Sequence, residues 1–291
     1  MRIFVTGGSG FIGKHLLPLL TSHHEVLCLS HAAPVESNSA APRTIRGDLN
    51  TPPSYADELE RFKPECCIHL AWEGLPDYSF QNCRTNLFAS TSLLDVLGRL
   101  DCGRIFAVGS CWEYGARTGV MKEDDQGFDL KLFAAHKTAL QLIGQANCTA
   151  TGSRLAWGRV FFVYGTGQRP SSLIPSCYRS LKHGDAPKIA NPLAINDFIH
   201  VDDVAAAIRK LVEADDASGI YNIGSGRTFA VWEVVNFVAA EMGLSPVYHD
   251  MPPSAGGMWA DITRMSSLGW RPELSLQAGI ARTLNMLAAD Q

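Results

Sequence analysis

A chain of 291 residues is long enough to bury a large core, as two domains or as one domain with an added lobe. Apolar residues make up 46% of it and charged residues 19%, with a formal net charge of -4 and no long run of one sign. That balance excludes a disordered chain and leaves no basic patch for a nucleic acid or an acidic membrane surface.

Strand and helix patterns alternate along the chain. Residues 3–6 form a short β-branched apolar run ended by glycines, and 11–21 carry apolar residues at helical spacing (Phe11, Ile12, Leu16, Leu19, Leu20). A second strand follows at 25–29, and the pattern places a third just before Gly47. Strands at 66–71, 104–109 and 154–162 are separated by helices at about 82–99 and 130–147. Residues 204–213 read as a helix and 221–223 as a strand. The stretch 166–196 breaks the rhythm, with one helix near 174–182. After Gly226 come a helix at 231–242, a strand at 246–249 and a last helix at 276–288. This alternation predicts an α/β fold, a doubly wound and mostly parallel sheet, with residues 1–165 and 197–225 forming it. Residues 166–196 and 226–291 are expected to form a small substrate-binding lobe over the carboxyl ends of the strands.

No apolar run approaches the roughly 20 residues of a membrane span. The strand pattern begins at Arg2, so we expect no leader segment and a cytoplasmic protein. The eight cysteines form no C-x-x-C pair and fall within apolar patterns, which predicts buried thiols and no metal site. His23-His24 reads as a solvated turn.

The first strand and helix are joined by Thr6-Gly7-Gly8-Ser9-Gly10-Phe11-Ile12-Gly13. Gly7 permits the tight turn, Gly10 lets backbone approach a pyrophosphate, and Gly13 lets helix pack on strand. The helix N-terminus presents free N–H groups to an anion. The expected ligand is a dinucleotide, held by Gly7, Gly10, Phe11, Ile12 and Gly13. A carboxylate at the end of the second strand would bind the ribose hydroxyls and select NAD. That position is Ser30, followed by His31, so the reading leans to NADP over NAD. Asp48 and Leu49, after the third strand, are expected at the adenine.

With these features the sequence resembles the extended short-chain dehydrogenase/reductases, the nucleotide-sugar epimerase/dehydratase family, over nearly its whole length. The glycine loop, Gly47-Asp48-Leu49, His69-Leu70-Ala71-Trp72, Asn86, Ser110 with Tyr114-Gly115, Tyr164-Gly165-Thr166-Gly167, the stretch from Asp197 to Asp203, Tyr221 to Gly226 and Leu268 to Pro272 follow in that family's order. The resemblance implies a Rossmann fold, with Leu70, Ala71, Trp72 and Asn86 near the cofactor and a homodimer joined through the helices at 87–97 and 130–143. It also implies a sugar substrate and a Ser, Tyr, Lys site. There, lysine holds the ribose hydroxyls and tyrosine moves a proton as hydride moves at the nicotinamide.

Ser110 and Lys137 match that site. Four residues before Lys137 stands Phe133, and no tyrosine lies between Tyr114 and Tyr164. His136 or Cys111 then stands as a substitute acid, while Tyr114 reads as a structural ring. The arginine preceding the D-F-I-H-V stretch is Asn196, and the R-x-G-D stretch is replaced by Pro253-Ser254-Ala255-Gly256. Without those arginines the usual diphosphate clamp is missing, and either another basic residue such as Arg169, Arg179, Lys182, Arg227 or Arg264 holds the phosphate or the substrate lacks a diphosphate. Two functions follow as expectations. One is an NAD(P)-dependent oxidoreductase or epimerase acting on a sugar carbonyl or carbinol. The other is a catalytically weak or silent NAD(P)-binding sensor or partner protein.

Overall fold

A computed structural model describes residues 1–31, 42–252 and 256–289. The first half builds β1 (Arg2–Thr6), α1 (Phe11–Thr21), β2 (Glu25–Ser30), β3 (Arg43–Arg46), α2 (Ala56–Phe62), β4 (Cys66–His69), α3 (Phe80–Arg99) and β5 (Arg104–Ser110). Then come β6 (Gly119–Met121), α4 (Leu132–Thr151), β7 (Arg154–Val160), β8 (Phe162–Tyr164), α5 (Leu173–Lys182), β9 (Ile195–Asn196), β10 (Phe198–His200), α6 (Val201–Glu213) and β11 (Gly219–Ile223). The chain closes with β12 (Phe229–Ala230), α7 (Val231–Glu241), β13 (Met258–Ala260), α8 (Thr263–Ser267) and α9 (Leu276–Ala289).

Seven strands pair in the order β11-β7-β5-β4-β1-β2-β3, all of them parallel. Their near-continuous apolar sequences suit strands covered on both faces. On one face α1 and α6 pack together over Ile3, Val5, Ile68 and Phe106; on the other α3 and α4 cover Phe4, Leu27, Cys67 and Ile105. The chain leaves β1 for β2 and β3 on one side and returns to β4 on the other. A crevice therefore opens at the carboxyl ends of β1 and β4, where such sheets bind ligands.

A second apolar core unites α5, α7 and α9 around Ile174, Val234, Val235, Val238, Ile280 and Leu284. Beside it, β12, β9, β13 and β6 form a four-stranded sheet. β6 comes from residues assigned by sequence to the first domain, yet it pairs with β13. The strand expected at 246–249 does not form. Asn236 of α7 takes its backbone instead: its Oδ1 accepts from Val247 N (2.9 Å) and Tyr248 N (3.0 Å), and its Nδ2 donates to Tyr248 O (3.0 Å). Those backbone groups are satisfied by one side chain, so no strand partner is needed.

All eight cysteines are buried free thiols. His24 departs from the solvated turn expected of it, since its Nε2 lies 3.2 Å from Glu213 of α6. Among the described residues no helix is long and apolar enough to cross a membrane.

Candidate active site

A cleft of about 660 Å³ runs from the glycine loop to the ends of β5 and β8. Gly7, Gly10, Phe11, Ile12 and Gly13 line one part of it. Gly7 has φ +74°, and a Cβ there would sit 2.7 Å from Ala71 N, so the turn lies directly on the backbone that follows β4. A side chain at Gly13 would collide with the carbonyls of Gly7 and Gly8. The first N–H groups of α1 thus meet the cleft with no side chain between, and no side chain caps them. The bare turn, the open helix end and the volume all fit a dinucleotide.

Leu29, Ser30, His31, Gly47 and Leu49 line the end of the cleft beside β2 and β3, and none of them is acidic. Asp48 is absent from that wall. Its Oδ1 closes a local turn by accepting from Asn50 N (2.8 Å) and Asn50 Nδ2 (3.1 Å). Sheet register adds a residue that the sequence did not suggest: Arg46 of β3 stands directly beside Ser30 of β2, exposed and unpaired among the described residues.

Leu70, Ala71 and Trp72 form the floor. His69, just before them, is buried. Its Nδ1 lies 2.7 Å from Thr6 Oγ1 and its Nε2 2.9 Å from Ser90 Oγ, which ties β4 to β1 and α3. Burial, with the nearby Lys137 charge, pulls its pKa down to about 3, so it is neutral. Asn86 is not on the cleft wall. Its Oδ1 accepts from Glu73 N (2.7 Å) and its Nδ2 donates to Glu73 O (3.1 Å), so it holds the loop after β4.

The opposite end of the cleft is built on β5 and α4. Ser110 closes β5 and lines the cleft, with its Oγ accepting from Trp112 N (3.2 Å). Its own N–H donates to Glu113 Oε1 (2.7 Å), which completes a capping box. Glu113 is fully buried. It also accepts from Trp157 Nε1 (2.9 Å) and pairs with Arg159 Nε (3.0 Å). Burial raises the Glu113 carboxyl, against the pull of the guanidinium. The S-x-x-E spacing of Ser110 and Glu113 was a legible signal for this anchor; Arg159 was not.

Lys137 is 3% exposed. Its Nζ donates to Val108 O (2.8 Å) and lies 4.1 Å from the centre of the Trp72 ring. Burial pulls its pKa down to about 8, partly offset by the Glu113 charge. Phe133, one helical turn earlier, faces the same cleft, 9% exposed. Its ring meets Trp72 (5.3 Å), Tyr78 (5.3 Å) and Trp112 (5.8 Å), all edge-on.

The structure does not bring His136 to this site. Its Nδ1 bonds Leu132 O (2.7 Å) within the helix, and its ring lies against Phe80 (5.6 Å), because one position along α4 from Lys137 turns a side chain about 100° away. Cys111 lines the cleft but is buried, and burial pushes its thiol far up. Tyr114 is wholly buried, with its hydroxyl on Asn222 Oδ1 (2.6 Å). Asn196 lies in β9 and Ser254 lies outside the described residues. Of the basic residues, Arg169 lines the cleft, while Arg264 is taken by Ile220 O (2.8 Å) and Ser218 O (2.7 Å), and Arg179 by Pro170 O (2.6 Å). Arg227 lines a second hollow around Trp259, and Lys182 lies over Tyr178.

Comparison with known proteins agrees with this geometry. The model of the NAD dependent epimerase/dehydratase family matches residues 3–224. A GDP-6-deoxy-D-mannose reductase of Pseudomonas aeruginosa is 26% identical, over 98% of this chain and 96% of its own. The solved structure of MoeE5 in complex with UDP-glucuronic acid and NAD is 30% identical, superposes with a TM-score of 0.87 and covers 100% of both chains. A UDP-glucose 4-epimerase of Thermotoga maritima shares the fold with a TM-score of 0.88 at 21% identity, over 100% and 99% of the two chains. With the family model matched across most of its length, and the glycine loop, Ser110 and Lys137 meeting in one cleft, the chain belongs to the NAD dependent epimerase/dehydratase family.

Proposed function

We propose that this protein is a nicotinamide-dinucleotide-dependent oxidoreductase or epimerase acting on the carbonyl or carbinol carbon of a nucleotide-linked sugar. One observation carries the reading: a single cleft holds the bare glycine turn at one end and Ser110 with Lys137 at the other. The related P. aeruginosa reductase and MoeE5, by their names and bound molecules, support a nucleotide sugar as substrate. When bound, the nicotinamide supplies or accepts hydride. Lys137 has three donors and spends one on Val108 O, which leaves the others for ribose hydroxyls. Ser110 lines the cleft and is held by the capping box, which supports a role for its hydroxyl at the sugar oxygen.

Finer parts of the reading rest on separate observations. NADP is favoured over NAD because no carboxylate lines the described adenosine end and Arg46 stands beside Ser30. The substrate diphosphate falls to Arg169 instead of positions 196 and 254. A homodimer is supported by apolar side chains left exposed on α3 and α4, Phe88 (63%) and Leu142 (61%) foremost.

Phe133 favours a second reading, a protein that binds the dinucleotide with little or no turnover. Calorimetry with the reduced and oxidised dinucleotides, followed by dinucleotide oxidation against a panel of nucleotide-linked keto-sugars, separates the two. Oxidation with any member supports the enzyme. Tight cofactor binding with no turnover on any member supports the silent protein.

A further inference from the structure

The loss of tyrosine at position 133 leaves the sugar oxygen without its usual proton donor, and the cleft holds another phenol. Tyr78 lines the same wall as Phe133, in the loop between β4 and α3. Its ring centre is 5.3 Å from that of Phe133 and 5.4 Å from that of Trp112. It is the one tyrosine on the described wall of this cleft. The loop that carries it is fastened at both ends. Ser79 caps α3 by accepting from Asn82 N (3.3 Å) and donates its own N–H to Asp77 Oδ1 (2.8 Å), and Asn82 Nδ2 donates to Asp77 O (2.7 Å). At the other end, Asn86 clamps Glu73 by its N–H and its carbonyl. The Tyr78 side chain is 36% exposed, and its hydroxyl makes no hydrogen bond among the described residues. A hydroxyl at the cleft, held by ring packing and left without a protein partner, is available to a ligand.

Glu73, on the same loop, also lines the cleft and is the rival acid; the other proton-bearing groups are less suited. His136 faces Phe80, and Tyr114 is locked to Asn222. The Cys111 thiol is buried in the wall.

We propose that Tyr78 is the catalytic acid and base of this site, its phenol standing in for the one that Phe133 lacks. The inference rests on the oxidoreductase reading above. In the reducing direction the sugar carbonyl carbon takes a hydride, with its two electrons, from the reduced nicotinamide, which is oxidised. The C=O π bond opens onto oxygen, the Tyr78 O–H bond breaks, and its proton passes to that oxygen. Water then reprotonates the phenolate. The carbinol is oxidised by the same steps in reverse.

The test compares wild type, Tyr78→Phe, Phe133→Tyr and the double variant Tyr78→Phe/Phe133→Tyr on the keto-sugar panel. Tyr78→Phe should lower kcat by about 10²–10⁴-fold with KM little changed. The double variant should recover most of that loss, because it returns a phenol to the position one turn before Lys137. His136→Ala should leave the rate unaltered. A readout independent of turnover is tyrosine nitration mapped by mass spectrometry. Tyr78 should be nitrated in the free protein and protected when dinucleotide and nucleotide sugar are both added. Wild-type turnover matched by Tyr78→Phe overturns the proposal and leaves the oxidoreductase reading standing. So does turnover in Phe133→Tyr when wild type has none, or a loss of activity in Glu73→Gln with Tyr78→Phe unaffected. Nitration of Tyr78 at the same rate with both ligands bound also overturns it. No turnover in wild type or Phe133→Tyr overturns the enzyme reading, and Tyr78 with it.

Discussion

Replacing Lys137 with methionine separates what this residue does for binding from what it does to stability. Burial pulls its ammonium from 10.5 down to about 8, so at neutral pH the folded protein carries a charge that its surroundings disfavour. That corresponds to roughly 3 kcal/mol against folding. Methionine removes the charge and keeps the length. It also leaves Val108 O without its donor, at a cost of about 1–3 kcal/mol, and forfeits an ammonium–indole contact of about 0.5–2 kcal/mol. These opposing effects leave the two proteins within roughly 2 kcal/mol of each other at neutral pH. The pH dependence is more informative. Below about 8 the lysine is protonated in both folded and unfolded chains, and the full burial cost stands. As pH rises from about 8 towards 10.5 the folded chain sheds the proton while the unfolded chain keeps it. Wild type should then gain up to roughly 3 kcal/mol relative to Lys137→Met. Urea unfolding of both proteins, followed by tryptophan fluorescence from about pH 7 to about pH 10, measures this directly. Stability curves that stay parallel over that range would refute the reasoning. The same variant should bind dinucleotide at least about tenfold more weakly, or about 1.4 kcal/mol, by calorimetry at neutral pH.

Glu113→Gln leaves the buried Arg159 guanidinium without its counter-charge, which should destabilise the fold by about 3–5 kcal/mol and lower the Tm measured by calorimetry; an unchanged Tm would show the pair to be dispensable. Ser30→Asp should move cofactor preference towards NAD by about tenfold, and Arg46→Ala should weaken NADP(H) while sparing NAD(H). A titration in which wild type already prefers NAD by more than about tenfold would sink both. Light scattering at micromolar concentration should return twice the 31.6 kDa chain mass, and Leu142→Glu should return one; a monomeric wild type would end the dimer argument.

The resemblance implied the Ser, Tyr, Lys arrangement at this site, and the features that survive as local patterns were legible along the chain. A glycine spaced for a turn, followed by an amphipathic run, announces the phosphate loop because both conditions are met within one strand–helix joint. Helical periodicity put Phe133 and Lys137 on one face, and the resemblance implied the tyrosine that Phe133 replaces. The same periodicity turns His136 aside, a consequence that residue spacing alone left open until the Phe80 contact appeared. The rest came from groups far apart in sequence whose separation in space no local pattern encodes. Parallel register set Arg46 beside Ser30. Loop anchoring by Asn82 and Asn86 brought Tyr78 against Phe133. The buried Arg159 of β7 met Glu113 in the turn that follows β5. Asn236 took the backbone of 247–248 that strand propensity had assigned to a sheet. Propensity and period act within a few residues. Partners for buried charge and unpaired backbone are chosen by the packed chain, and there the tertiary structure decided.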